Sequence, residues 1–303
     1  MKIIFLGTPE FASKVLEALD SKYEIKLVIS QPNREKKKGV LIDTPVASYA
    51  KSHNLELLQP LAIKDIYDVI KDVDADTLIT AAYGQYIPTK ILNLFKTKLN
   101  VHASLLPLHR GGAPIQRCLM NGDTKTGVTI MEMEKRLDAG KIYAKEEYII
   151  NPDDDATTLF NNLAIIGSKL LLDNIEDIYN GKNLGVLQDE SMATYSPNIL
   201  KEEEKIDFNK TSFEIVNQIR GLSKNPGAYI LVNGNIVKVY KAISIDYLGN
   251  ELPGTVLNVK KGITIKTKDK AISLALVKQE GKKEMSGKDF SNGQKIFVIN
   301  DII

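Results

Sequence analysis

Asn100-Val101-His102-Ala103-Ser104-Leu105-Leu106-Pro107 runs on through Arg110-Gly111-Gly112-Ala113-Pro114. It places an amide, an imidazole and a hydroxyl within a few residues, then rigid prolines and flexible glycines. Upstream, the apolar run Thr77–Tyr83 reads as a strand, and downstream Ile115–Met120 reads as the start of a helix. A polar cluster at the end of a strand in an α/β pattern lies where open sheets bind ligands.

The pattern extends in both directions. Residues 3–6, 25–30, 55–58, 77–82, 99–103 and 128–133 read as short strands. Helical spacing falls between several of them, at Ala12–Leu19, Pro45–His53, Asp65–Lys71 and Ile115–Met120. Strands alternating with helices predict an open, mostly parallel α/β sheet of Rossmann-like topology. The first strand-to-helix turn, Gly7-Thr8-Pro9, lacks the G-x-G-x-x-G that lets a backbone approach a pyrophosphate, so the topology carries no NAD signature. Neither a P-loop nor an H-E-x-x-H motif is present.

The chemistry of the opening stretch follows from its spacing. Residues i and i+2 of a strand share a face, so Asn100 and His102 can address one substrate together. An amide N–H donates without titrating, and an imidazole moves a proton near neutral pH. That pair suits attack of a nucleophile on a carbonyl, with one group on the oxyanion and the other on the proton. A carboxylate would hold the imidazole in one tautomer and favour its charged form. Asp138, in Arg136-Leu137-Asp138-Ala139-Gly140 just past the strand-like run Gly127–Met133, is the candidate.

With 303 residues the chain is long enough for two domains, and 43% apolar residues can fill their cores. A single cysteine, Cys118, builds no intrachain disulfide or cysteine-based zinc site and agrees with a reducing cytosol; it reads as a small apolar filler. The first strand is too short and lacks the cleavage pattern of a signal peptide, and no stretch approaches a membrane span, so a cytoplasmic protein is expected. The net charge of +2 is unevenly spread. Residues 205–303 hold 16 basic and 9 acidic side chains, whereas the remainder holds 24 and 29. A basic C-terminal part on an acidic body suggests a polyanionic partner, against the plainer reading of a lysine-rich composition.

Residues 31–45 carry Arg34, Lys36, Lys37 and Lys38 between prolines and read as an exposed loop. Tyr83-Gly84 ends a strand on a glycine turn, either bordering the cleft or simply turning the chain with packed tyrosines. Asp153-Asp154-Asp155 offers helix-cap chemistry for a long helix over Leu159–Tyr179, in preference to a metal site. Residues 182–206 lack periodicity and read as a linker. After a helix at Ser212–Leu222, strand-like runs at Tyr229–Val232, Ile236–Ile245, Gly254–Val259, Ile263–Thr267, Ala271–Val277 and Lys295–Ile299 suggest a small barrel.

The stretch Asn100–Pro107, with Arg110-Gly111 and Ala113-Pro114-Ile115-Gln116-Arg117, resembles the active-site motif of the methionyl-tRNA formyltransferases. Thr126–Met131, Leu137–Gly140, the opening Gly7–Ala12, Gln218-Ile219-Arg220, Pro226–Tyr229 and Pro253–Val256 continue the resemblance over nearly the whole chain. The resemblance implies formyl transfer from 10-formyltetrahydrofolate to the α-amine of methionyl initiator tRNA, with no metal. It implies catalysis by Asn100, His102 and Asp138. Folate contacts would come from Ser104, Leu105, Leu106 and Pro107, with Tyr83 and Gly84 near the pterin. Arg34, Lys36, Lys37 and Lys38 would enter the acceptor arm, and the C-terminal barrel would be OB-like and hold tRNA through its backbone. Arg110 would meet either the folate tail or the RNA. The expected layout is a catalytic domain at 1–186, a linker at 187–206 and a tRNA-binding barrel at 207–303, acting as a monomer away from membranes. Rival readings are a formyltransferase acting on glycinamide ribonucleotide or an amino sugar, a non-catalytic RNA-binding module, and a dehydrogenase. The basic loop and barrel, the catalytic trio, and the missing dinucleotide fingerprint stand respectively against them.

Overall fold

Lys2–Gly7, whose Ile3-Ile4-Phe5-Leu6 are all fully buried, forms the first strand (β1) of a sheet covered on both faces. Continuous apolar runs of this kind belong to parallel strands sandwiched between helices. The computed structural model describes residues 1–37 and 40–303, with only the backbone for 34–37 and 40. It divides into two units. One comprises Met1–Pro114, Lys125–Ile149 and Phe160–Pro197; the other comprises Ile115–Thr124, Ile150–Leu159 and Asn198–Ile303.

In chain order β1 is followed by α1 (Glu10–Asp20), β2 (Glu24–Ile29), β3 (Arg34–Lys37), β4 (Val40–Ile42), α2 (Pro45–Ser52), β5 (Leu57–Leu58), α3 (Tyr67–Asp72) and β6 (Thr77–Ala81). Then come α4 (Thr89–Leu92), β7 (Thr97–His102), α5 (Pro114–Asn121), β8 (Lys125–Glu132), β9 (Ile142–Ile149) and α6 (Ala156–Tyr179). Helix α1 buries Phe11, Ala12, Val15, Leu16 and Leu19, one stripe at helical spacing. The sheet order is β5-β2-β1-β6-β7-β8-β9. The pairs from β5 to β7 are parallel, and β8 and β9 join antiparallel. From β1 the chain builds outward through β2 to β5, then returns to lay β6 on the other side of β1. The carboxyl ends of β1 and β6 therefore flank the topological switch point, where such sheets bind ligands. Gly167 on α6 permits close packing, since a Cβ there would meet Val101 Cγ1 at 2.9 Å.

Residues 31–45 are not only loop. Arg34–Lys37 and Val40–Ile42 pair antiparallel as a separate two-stranded ribbon. Backbone hydrogen bonds pair such strands whatever side chains they carry, so a charged composition is as compatible with a ribbon as with a loop. The edge strand β9 was not expected at all. Its sequence, Ile142-Tyr143-Ala144-Lys145-Glu146-Glu147-Tyr148-Ile149, is interrupted by charge, a common feature of edge strands. The acidic run before α6 behaves as anticipated. Asp155 Oδ1 accepts from the Thr158 amide at 2.9 Å, and Asp154 accepts from the Asn151 amide at 2.8 Å.

The second unit holds α7 (Ser212–Leu222), β10 (Ala228–Val232), β11 (Asn235–Ile245), β12 (Val256–Asn258), β13 (Ile263–Lys266), β14 (Ala271–Gln279), β15 (Met285–Ser286) and α8 (Gly287–Gly293). Its strands form a curled antiparallel sheet, β10-β11-β14-β13-β12, with β15 added against β14. Register shifts in β11 near Lys241 and in β12 before Asn258 supply the bends. Ile215, Ile219 and Leu222 of α7 share one core with Ile230, Val237, Val239 and Val277. The strand expected at Lys295–Ile299 is absent. The chain turns there instead, and the Asn300 amide donates to the Val256 carbonyl while the Val256 amide donates to the Asp301 carbonyl. A short apolar run after a helix thus seals the sheet without extending it. Helix α7 starts on a capping box, in which Thr211 Oγ1 accepts from the Glu214 amide and Glu214 accepts from the Thr211 amide at 2.8 Å. Thr211→Ala is expected to destabilise the protein by about 1 kcal/mol, read as a lower urea midpoint at unchanged slope.

Candidate active site

The carboxyl end of β7 carries Asn100 and His102 beside the switch point, and the antiparallel β8 leads to the loop that brings in Asp138. The structure thus gathers the three residues singled out from the sequence. The Asn100 side-chain oxygen accepts a hydrogen bond from the Thr80 hydroxyl on neighbouring β6 at 2.8 Å. With the hydroxyl as donor, the amide's NH2 group is turned to the other side. His102 is buried, and its Nε2 lies 3.0 Å from the His109 carbonyl oxygen. A carbonyl only accepts, so Nε2 carries the proton and donates it. The other nitrogen, Nδ1, faces Asp138 Oδ2 at 3.7 Å, an ion-pair distance rather than a hydrogen bond. Asp138 Oδ2 also accepts from the Gly111 amide at 2.8 Å. A proton taken up at Nδ1 would therefore be stabilised by a carboxylate that is already held in place.

The backbone supporting this pair is strained. His109 (φ 59°) and Asp138 (φ 48°) are both left-handed without being glycine. Each such residue costs about 1–2 kcal/mol and persists only where its surroundings over-determine it. Ala82, at the end of β6, is a third (φ 44°). The turn after β7 is held by Thr129 of β8. Thr129 Oγ1 donates to the Ser104 carbonyl at 2.7 Å and accepts from the Leu106 amide at 3.1 Å.

Ser104 and Leu106 are buried, and the Ser104 hydroxyl donates to the Leu108 carbonyl at 2.6 Å. Leu105 and Pro107 remain half-buried. Tyr83 is buried, its hydroxyl has no partner among the described residues, and burial pushes its phenol up to about 12, so it stays a neutral donor. Its carbonyl accepts from the Thr8 hydroxyl and from Gln31, both at 2.9 Å. Gly84 (φ 84°) and Ala82 are exposed, so the backbone at the end of β6 is open to a ligand.

Sequence reading missed two contributors entirely. Gln188 and Glu190, in the stretch expected as linker, reach back to Arg110, and Gln188 also bonds the Asp138 loop. Their stretch has no periodicity, and only its polar side chains mark it. Arg110 is fully buried on these partners, and its bond to Glu190 raises its pKa further while holding the Glu190 carboxyl below its ordinary range. It therefore braces the protein rather than extending to a folate tail or RNA.

Residues 1–175 match the family model described as formyl transferase, and residues 198–295 match that described as formyl transferase, C-terminal domain. The chain belongs to the formyl transferase family. Methionyl-tRNA formyltransferase of Streptococcus pneumoniae (strain Hungary19A-6) is 42% identical over 299 residues, 96% of this chain and 95% of that one. The Lactobacillus acidophilus protein of the same name is 43% identical over 298 residues, with the same coverage. The formyltransferase fold is also shared with solved structures of low identity. An N-formyltransferase from Helicobacter canadensis, in complex with folinic acid and dTDP-3-aminofucose, is 22% identical with a TM-score of 0.70, over 90% of this chain and 99% of that one. HypX from Aquifex aeolicus, in complex with tetrahydrofolic acid, is 18% identical with a TM-score of 0.69 over 100% of this chain, which spans about half (49%) of HypX.

Of the basic residues expected to meet RNA, Arg34, Lys36 and Lys37 lie on β3, and Lys38 lies outside the described residues. The root of their ribbon is tied down. Asn33 donates to Asp43, and Gln59 donates to both Asn33 Oδ1 and the Gln31 carbonyl, at 2.7 and 2.8 Å. In the second unit Lys260, Lys261, Lys268, Lys282, Lys283 and Lys288 are exposed. No helix among the described residues is long and apolar enough to cross a membrane.

Proposed function

We propose that this formyltransferase moves the formyl group of 10-formyltetrahydrofolate to the α-amine of methionyl initiator tRNA, giving formylmethionyl-tRNA for translation initiation. The observation that carries the reading is the 42% identity to named methionyl-tRNA formyltransferases across both units of the chain. The neutral amine attacks the formyl carbon, and the oxygen becomes an alkoxide facing the NH2 group of Asn100. The proton shed by the attacking nitrogen passes to His102 Nδ1, where Asp138 stabilises the imidazolium. The C–N bond to the folate then breaks, and the departing nitrogen takes the proton back.

The formyl donor is a substrate here, with no metal in the scheme. Ser104, Leu105, Leu106 and Pro107 would hold it on one side, with Tyr83 and Gly84 on the other. The exposed backbone at Ala82 and Gly84 suits a flat, hydrogen-bonding heterocycle. Arg34, Lys36, Lys37 and Lys38 engage the acceptor end, and the domain at 207–303, joined to the catalytic domain at 1–186 through residues 187–206, grips phosphates. The enzyme acts as a cytoplasmic monomer.

The test is transfer from 10-formyltetrahydrofolate to charged initiator tRNA, run beside glycinamide ribonucleotide and an amino sugar. Transfer to methionyl-tRNA is expected, with kcat/KM falling steeply between 50 and 200 mM salt because phosphate contacts release counterions. Transfer to a small amine alone would overturn the proposal.

A further inference from the structure

We infer that Gln188 is a positioning residue for the catalytic pair, coupling buried Arg110 to the backbone of Asp138. The inference rests on the formyl-transfer reading above.

The geometry is a closed circuit built on three consecutive residues, His109-Arg110-Gly111. The His109 carbonyl takes the Nε2 proton of His102, and the Gly111 amide holds the Asp138 carboxylate. Between them, Arg110 sends its side chain to Gln188. Gln188 Oε1 accepts from Arg110 Nε at 3.1 Å and Nη2 at 2.8 Å. Its Nε2 donates to the Asp138 carbonyl and to the Gly140 carbonyl, both at 2.8 Å. Arg110 Nη1 and Nη2 donate to the two oxygens of Glu190 at 3.0 and 2.9 Å, which sets the plane of the guanidinium.

The orientation of Gln188 is forced. A guanidinium only donates and the two carbonyls only accept, so the amide fits one way round. Those carbonyls bracket Ala139 in a loop that needs holding, because Asp138 is left-handed. Gly140 is pressed against β8 so closely that a Cβ would lie 2.0 Å from the Glu132 carbonyl oxygen. The segment that carries Gln188 is itself pinned to Arg110. The Arg110 amide donates to the Thr194 carbonyl at 2.8 Å, and the Ser196 amide donates to the Arg110 carbonyl at 2.7 Å. Residues 188–196 therefore fasten both partners of His102, through Arg110 and through the Asp138 loop.

Gln188→Glu is the most direct test. It keeps the shape and the bond to Arg110, but sets a carboxylate oxygen against two carbonyls. With transfer first established for the wild type, kcat should fall about 10- to 100-fold, the cost of a small misplacement at a reacting centre. KM for folate and for tRNA should stay within about twofold, and the thermal midpoint is followed alongside. In an Asp138→Ala background the same substitution should change kcat by less than about twofold, because a residue acting through Asp138 has nothing left to position. Glu190→Gln, on the half-exposed rim, covers the case in which Gln188→Glu does not fold, and should lower kcat a few-fold at constant KM. Unchanged kcat in the folded variants, or an equal loss with and without Asp138, overturns the inference. Absence of transfer by the wild type would instead overturn the function.

Discussion

Asp138→Asn should reduce the rate of formyl transfer by about 1,000- to 10,000-fold, with KM for either substrate little changed. The carboxylate does two things that the amide cannot do together. Its Oδ2 accepts from the Gly111 amide and at the same time presents negative charge to His102 Nδ1. In the variant, one orientation keeps the bond to Gly111 but leaves a protonated His102 without its counter-charge. The other turns the amide NH2 toward Nδ1 and occupies the lone pair that should receive the proton. His102 cannot compensate by changing tautomer, because its Nε2 proton is committed to the His109 carbonyl. Single-turnover transfer at saturating folate and tRNA is the measurement that checks this. A loss below tenfold would remove proton transfer from His102 and Asp138.

That pair was legible in the sequence, whereas its support was not. Asn100 and His102 stand two apart at the end of a strand whose apolar residues Leu99 and Val101 alternate with them, and that alternation puts the pair on one face. Asp138 follows another strand at a distance that a short loop spans. The parallel strands were equally visible, because burial on both faces leaves uninterrupted runs such as Ile3-Ile4-Phe5-Leu6. Other features follow from backbone geometry that residue type does not encode. His109 and Asp138 take left-handed conformations that no glycine announces, and Gln188 and Glu190 act over long sequence separations from an aperiodic stretch. Charge misled in both directions. It hid β9 and the ribbon of β3 and β4, and it made Arg110 look like a ligand-reading cation although it lies fully buried on Glu190 and Gln188.

Asn100→Ala is expected to lower kcat about 100- to 1,000-fold, the usual consequence of losing one oxyanion donor. The structure adds a sharper version of the test. With the Thr80 hydroxyl donating to Asn100 Oδ1, the NH2 group is the end left for the alkoxide. Asn100→Asp preserves size and the Thr80 bond but puts a negatively charged oxygen where the donor stood. It should therefore be slower than Asn100→Ala, since repulsion is added to the loss of a hydrogen bond. If Asn100 only positioned substrate sterically, the ranking would reverse, because aspartate fills the space and alanine does not. The two rates, measured under single turnover with folate and tRNA saturating, decide between an electrostatic and a steric role for the residue.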